Sequence, residues 1–454
     1  MQSTQQPGPK SFLGLRSLRQ FRKSPMTYLK DLADEHGDAA FFKLGPIQAV
    51  LLNHPDLIRE VLVRHREDFP KMGRQRKVIR QIDGNSLFVK QGKEWMDDRR
   101  MIQSLFAPEK VASLCKKLVA STQQRLESWQ DSKVLNFEDE MIELSIELMG
   151  RMFFGVDLTA EAASLRKLVY VRSDLFLKEM SAVVPLPDQW PLPSKIKKRK
   201  LKQQMDELIY GIIRRRRAEG LKQDDFVSTL LRNLDQRLPA NEADRQVRDH
   251  ANMMFQAGAD DVSTALAWMF YLVAKHPEVQ RALVAESVNT RGQLRAFNPD
   301  SLSFTECVVR ESLRLYPSTW LFTARKARRD IDLGRFVIRH KTWVFISPYI
   351  TQRDTQFFKN PNEFRPERFR ADSMTSQSRQ AFFPFGVGPK ACAAGNFSIK
   401  MMSLIAANVL QRFELNLEPG QDNIEPSSSV TLRPNVGIQL RVKEREVAQI
   451  RRAA

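Results

Sequence analysis

The chain has 454 residues, is 42% hydrophobic and carries a net charge of +19, which allows a sizeable core and excludes a disordered or low-complexity protein. Three cysteines, Cys115, Cys307 and Cys392, odd in number and far apart, argue against a disulfide framework and for a reducing compartment. The start, Met1 to Pro9, has no signal-peptide pattern, and no apolar run nears the ~18 residues of a membrane span, so a soluble, cytoplasmic protein without a transmembrane segment is expected. The surplus of Lys and Arg is densest at Lys195 to Lys202 and Arg214 to Arg217. No nucleic-acid-binding motif accompanies it, which leaves solvated helix faces or an acidic protein partner.

In chain order, residues 1–24 read as a lead-in, and a helix runs from Pro25 to His36 with Gly37 as its stop. Phe41 to Leu44 and Ala49 to Asn53, split by Gly45-Pro46, predict a hairpin, and Pro55 opens a helix to about His65. Arg74 to Lys90 is basic, contains glycine and reads as irregular. Trp95 and Arg99 follow at i, i+4 spacing, so one helical face presents both to a common partner. Helical sequence fills Val111 to Phe154, Ala160 to Glu179 and Ser194 to Glu219. Between the last two, Ser181 to Pro193 holds four prolines in a mostly apolar connector, either a crossover or a cover over something apolar.

Asn241 to His276 reads as one long helix whose middle is Ala257-Gly258-Ala259-Asp260-Asp261-Val262-Ser263-Thr264. Ala257, Asp261 and Ala265 share a face. Asp260 points about 100° away, beside Gln256 and Thr264. Both carboxylates either face solvent or serve chemistry, and adjacent burial predicts a pair that shares a proton. Ser303 to Tyr316 is helical and contains Glu311 and Arg314, three apart; Arg325 lies in a strand-like segment, Arg353 after another strand, and Arg368 within Phe364 to Phe369. Val430 to Val442 alternates as a terminal hairpin, followed by a charged tail, 446–454.

The run from Phe382 to Gly395 places Gly386, Gly388 and Pro389 in a tight loop, with Cys392 just before a helix. Backbone N–H groups and the helix dipole favour a thiolate there, able to hold a metal that has other ligands, with haem iron the obvious candidate. An ordinary buried cysteine is the alternative for the residue alone. Phe385-x-x-Gly388-x-Lys390-x-Cys392 resembles the haem-ligand loop of the cytochrome P-450 family, with Lys390 for the usual Arg or His, and Gly395 one residue later than the usual glycine.

That resemblance, carried in order by Trp95-x-x-x-Arg99, Ala257-Gly258-x-Asp260, Glu311-x-x-Arg314, Arg368 and the Cys392 loop, covers about residues 25–445 as one catalytic domain. It implies a mainly α fold with small β-sheets. It implies haem b (iron protoporphyrin IX) ligated by Cys392, with Trp95, Arg99, Arg325, Phe385 and Lys390 around the cofactor and Glu311, Arg314 and Arg368 holding the proximal scaffold. The resemblance further implies that one atom of O2 is inserted into a small apolar molecule, a lipid, terpenoid or steroid. Electrons would come from a separate ferredoxin- or flavodoxin-type donor; use of peroxide, or a rearrangement needing no external electrons, stays open. Asp261 stands where the family usually has a threonine that helps pass protons, so Asp260 and Asp261 are the expected relay. By the same resemblance the proline-rich connector is the lid over the substrate channel, and substrate meets Ala257, Asp261, Ser318 to Phe322 and Arg74 to Phe88.

Overall fold

The computed structural model describes residues 6–9, 13–182, 186–289 and 302–446. Residues 1–5 and 10–12 of the lead-in, 183–185 of the connector and 447–454 of the tail lie outside the described residues. The chain is mainly helical with small sheets.

Helices α1 (Leu15–Lys23) and α2 (Pro25–His36) lead into strands β1 (Ala39–Leu44) and β2 (Ile47–Leu52). α2 begins and ends where Pro25 and Gly37 predict, because Pro at the first turn gives up no bonded N–H and Gly37 takes φ 69°. The hairpin pairs Ala39 with Leu52 and Leu44 with Ile47. β2 also runs parallel to β7 (Trp343–Ile346), whose other edge takes β4 (Arg325–Lys326). This four-stranded sheet therefore delivers Arg325 from far along the chain. The helix opened by Pro55 is α3 (Pro55–Arg59), continued by a π turn over Glu60–Arg64.

The stretch expected to be irregular instead holds α4 (Gly73–Asp83), whose Val78 and Ile82 are buried at i, i+4. Gly84 ends it at φ 70°, where a Cβ would lie 2.0 Å from Asp249 Oδ1. The sequence shows the basic residues, while the buried face depends on a partner far away. α5 (Gly92–Gln103) carries Trp95 and Arg99, and α6 (Pro108–Glu127), β3 (Val134–Asn136) and α7 (Phe137–Met149) follow. Two long helices, α8 (Ala162–Ser181) and α9 (Pro193–Ala218), flank the proline-rich connector, and α10 (Phe226–Asp235) comes next.

α11 (Ala240–Gln256) and α12 (Val262–Lys275) form the predicted long helix, joined by a π turn over Ala257–Asp261. Such a turn inserts one residue per turn and is a common mark of functional sites. Gly258 admits α7 there, since a Cβ would sit 2.1 Å from Met149 Sδ. α13 (Pro277–Asn289), α14 (Ser303–Leu315), short helices α15 (Pro348–Thr351) and α16 (Ser376–Ala381), and α17 (Gly395–Arg412) complete the helical layer. The main core draws on Leu105 through Val442, with Trp268, Phe137 and Phe270 among its wholly buried side chains.

The expected terminal hairpin is not formed. β10 (Leu432–Pro434) pairs with β9 (Pro426–Ser428), while β11 (Gln439–Glu444) joins β8 (Phe413–Leu417) and β3. Pro434 has no N–H to continue a ladder, so the alternation breaks into two sheets there. The basic runs are not simply solvated either. Lys195 and Lys198 are buried against Glu179 and Asp188, and Arg216 is buried against Asp225.

Candidate active site

Cys392 is accessible, whereas Cys115 and Cys307 are buried. Its loop is built by Gly386 and Gly388 at φ 84° and 77° and by Cys392 N–H donating to Phe385 O at 2.8 Å. Gly395, one residue late for the family pattern, lies against Phe385: a Cβ there would be 3.2 Å from Cγ of that ring. Burial is nonetheless the largest influence on the Cys392 thiol and pushes its pKa up, Asp261 adds to this, and the Ala394 N–H and Arg99 oppose it. An accessible side chain that is so strongly desolvated borders a space inside the protein. The helix-end effect expected from sequence is thus present but outweighed until a cation takes the sulfur.

Across from the loop, α11 and α12 are buried from Val247 to Ala274 except at Met254, Ala257, Gly258, Asp261 and Val262. That spacing is one helical face. A helix otherwise enclosed exposes this stripe only to an internal space, and Asp261 on the stripe is near enough to Cys392 to raise its thiol pKa.

Cations converge at its edge. Arg325 is 8% exposed, and its Nε and Nη1 have no hydrogen-bond partner among the described residues. Desolvation lowers its pKa to about 10. Lys71, bridged to Arg325 through the backbone, is pushed down to about 7 by burial and by the charges of Arg325 and Lys390. Lys390 Nζ lies 5.7 Å from the centre of the Trp95 ring, and half-buried Arg99 feels the charge of Cys392. Buried cations without counter-charges are unfavourable unless an anion joins them. A soft sulfur ligand facing an apolar stripe, with cations that lack an ion-pair partner at the rim, fits a flat metal macrocycle bearing carboxylates. Haem meets that description, so Cys392 would hold the iron and Arg325, Lys71, Lys390, Arg99 and Trp95 the propionates.

Glu311 and Arg314 do not line this space but support it. Both are wholly buried, with Arg314 Nε and Nη2 donating to the Glu311 carboxylate at 2.7 and 2.8 Å. Arg368 Nε reaches the same carboxylate at 3.3 Å, and Arg314 Nη1 donates to Gln352 O and Pro361 O. Gln352 then bonds Leu313 O and Arg314 O through Nε2 and receives Phe383 N–H at 2.9 Å. One continuous network thereby fixes the start of the Cys392 loop.

The two aspartates part ways. Asp260 Oδ2 accepts from Ser173 Oγ at 2.9 Å and Gln256 Nε2 at 2.8 Å, and Oδ1 from Thr431 Oγ1 at 3.1 Å and Arg433 Nη2 at 2.7 Å. Arg433 also meets Glu138 at 3.3 Å and stacks on Tyr170. Held by four donors and wholly buried, Asp260 is a fixed anchor that does not open to the space, and the paired role expected from sequence is corrected on this geometry. Asp261 alone opens to the space. Burial first and Asp260 second raise its pKa to about 7, so near neutrality it both holds and releases a proton. Ser318 Oγ fixes the segment by donating to Asp261 O at 2.6 Å. Arg74 ties α4 to Glu179 O and Ala182 O at the end of α8.

Sequence reasoning missed Lys71, Arg433, Thr431 and Ser173. Each meets its partner across many residues of chain, and only the basic and hydroxyl side chains themselves were visible.

Comparison with known proteins agrees. A family model described as Cytochrome P450 matches residues 5–442. The cyclooctat-9-en-7-ol 5-monooxygenase of Streptomyces melanosporofaciens is 31% identical over 418 residues, 91% of this chain and 90% of that protein. The pentalenene oxygenase of Streptomyces avermitilis is 26% identical over 436 residues, 95% of each chain. The crystal structure of CYP175A1 from Thermus thermophilus superposes with TM-score 0.76 at 23% identity, covering 96% of this chain and all of that one.

Proposed function

Because the chain belongs to the cytochrome P450 family and is a haem-binding monooxygenase of apolar molecules, we propose that its substrate is a terpenoid and its electron donor a separate ferredoxin- or flavodoxin-type protein. The apolar stripe Met254, Ala257, Gly258 and Val262, interrupted by one carboxyl, carries the substrate reading. Two similar bacterial proteins support it, one named for oxidation of a hydrocarbon, pentalenene, and one for oxidation of an alcohol. Among the described residues no helix is long and apolar enough to cross a membrane. Residues 25–445 act as one catalytic domain, a reading supported by a core that joins Leu105 to Val442. A spin-state titration of the haem-loaded enzyme against terpenoid, steroid and fatty-acid panels tests the class; exclusive response to fatty acids or steroids would contradict it.

When bound, the haem activates O2 and supplies one oxygen atom to the substrate. Cys392 would ligate its iron, Trp95, Arg99, Arg325, Lys390 and Lys71 would hold its carboxylates, and Phe385 would pack beneath the loop. Asp261 holds the proton that the reaction consumes at this face, with Asp260 the fixed charge that keeps it there. The fraction of Asp261 that carries a proton falls as pH rises through about 7. Product formed per electron used, at saturating substrate, is therefore expected to fall between about pH 6 and about pH 8. Asp261→Asn should lose most of this coupling and its pH dependence, and Asp261→Thr should keep the coupling. Full coupling in Asp261→Asn would contradict the role. The peroxide-driven alternative rests on Asp261 in place of threonine, and turnover with peroxide but with no donor protein would favour it.

The donor reading rests on charge. α5 holds Arg99 inside while Lys93 and Arg100 on its outer face are 87% and 77% exposed. Steering by such charges weakens as the Debye length shrinks from ~10 Å at 0.1 M salt to ~3 Å at 1 M. Reduction rates by an acidic ferredoxin are expected to fall steeply over that range and in Lys93→Glu and Arg100→Glu; rates indifferent to salt would contradict this donor.

A further inference from the structure

Asp261 is the one carboxyl on an otherwise apolar stripe, and its carboxyl group makes no hydrogen bond to any described side chain or backbone group, whereas Asp260 beside it accepts four. Its main chain is pinned by Ser318 Oγ donating to Asp261 O at 2.6 Å, which fixes the point from which the carboxyl projects. A second unmet group acts on it: Arg172 of α8 gives Nη2 to Asp83 at 2.7 and 2.5 Å, and its buried Nε has no acceptor among the described residues. A substrate that fills the space displaces water from Asp261, and a polar group left unpaired against hydrocarbon is costly.

On the terpenoid reading above, we propose that the substrate already carries a hydroxyl group, which Asp261 grips, so the enzyme acts on a terpene alcohol in preference to the parent hydrocarbon. A hydroxyl suits the site because it both donates and accepts, matching the carboxyl whether neutral or ionised. Charges of both signs reach Asp261, from Asp260 and from Arg172 and Arg433, so the site offers neither an anionic nor a cationic ligand a field of one sign, and a neutral hydroxyl suits it. The grip uses one carboxyl oxygen as acceptor and leaves the acid proton on the other. The reaction supplying this substrate must install an alcohol, either an earlier hydroxylation or a cyclisation ended by water.

The test is equilibrium binding, read by the haem absorption shift and by calorimetry, of cedrol and cedrane, which share a carbon skeleton and differ by one hydroxyl. The wild-type enzyme is expected to bind cedrol about tenfold more tightly, the factor of one hydrogen bond to a buried carboxyl group. Asp261→Asn should retain most of that preference. Asp261→Ala should lose it through weaker cedrol binding, with cedrane bound as well as or better than before. Equal affinities in the wild type, or an undiminished preference in Asp261→Ala, would overturn the proposal while leaving the terpenoid reading in place. Binding of neither compound, with fatty acids or steroids bound instead, would overturn the terpenoid reading and this inference with it.

Discussion

Glu311→Ala should destabilise the protein by about 3–5 kcal/mol, the range for removing one partner of a buried ion pair. Arg314 has no exposure, and three of its contacts go to main-chain carbonyls of Gln352, Pro361 and Glu363, so loss of Glu311 leaves a buried guanidinium without a counter-charge. Arg365 N–H and Arg368 lose the same acceptor. Because Gln352 links this cluster to Phe383, the effect should travel to the Cys392 loop and haem retention should fall together with stability. Glu311→Gln keeps the shape but leaves the charge unmet, and should lie between. Denaturant midpoints and haem content measure both. A loss under about 1 kcal/mol with full haem content would show that the network does not hold the loop.

Cys392→Ala should reduce monooxygenase turnover to background, while Cys115→Ala and Cys307→Ala should leave it intact apart from a stability loss of a few kcal/mol at most. Burial raises the pKa of both control thiols, so neither is a ready ligand. The control variants remove small buried side chains and test packing only. Turnover surviving in Cys392→Ala would remove the sulfur from the chemistry.

Much of this was legible in the residues because it is local. Pro25 and Gly37 bound a helix, Gly45-Pro46 turns a hairpin, and Gly386, Gly388 and Cys392 set a loop before a helix, each by conformational rules that act within a few residues. The Glu311, Arg314 and Arg368 cluster was legible only through family resemblance, since nothing in a three-residue spacing says that a distant arginine will join it. The failures are all long-range. Asp260 and Asp261 look equivalent as neighbours in sequence, and only donors far along the chain, Ser173, Thr431 and Arg433, separate the anchor from the group that faces the space. The Val430 to Val442 alternation was real, but its strands found partners in β9 and β8 rather than in each other. The end of α4 that meets Asn252 through Ile82 O and Asp83 likewise cannot be read from a basic run.

Cys392 and the stripe opposite it would together enclose a thiolate-ligated haem. The reduced, carbon monoxide-bound difference spectrum of the wild-type protein tests this most directly. The expected result is the red-shifted Soret band given by haem with a cysteine thiolate. An unshifted Soret band in freshly purified protein, or no haem bound after reconstitution, would contradict it.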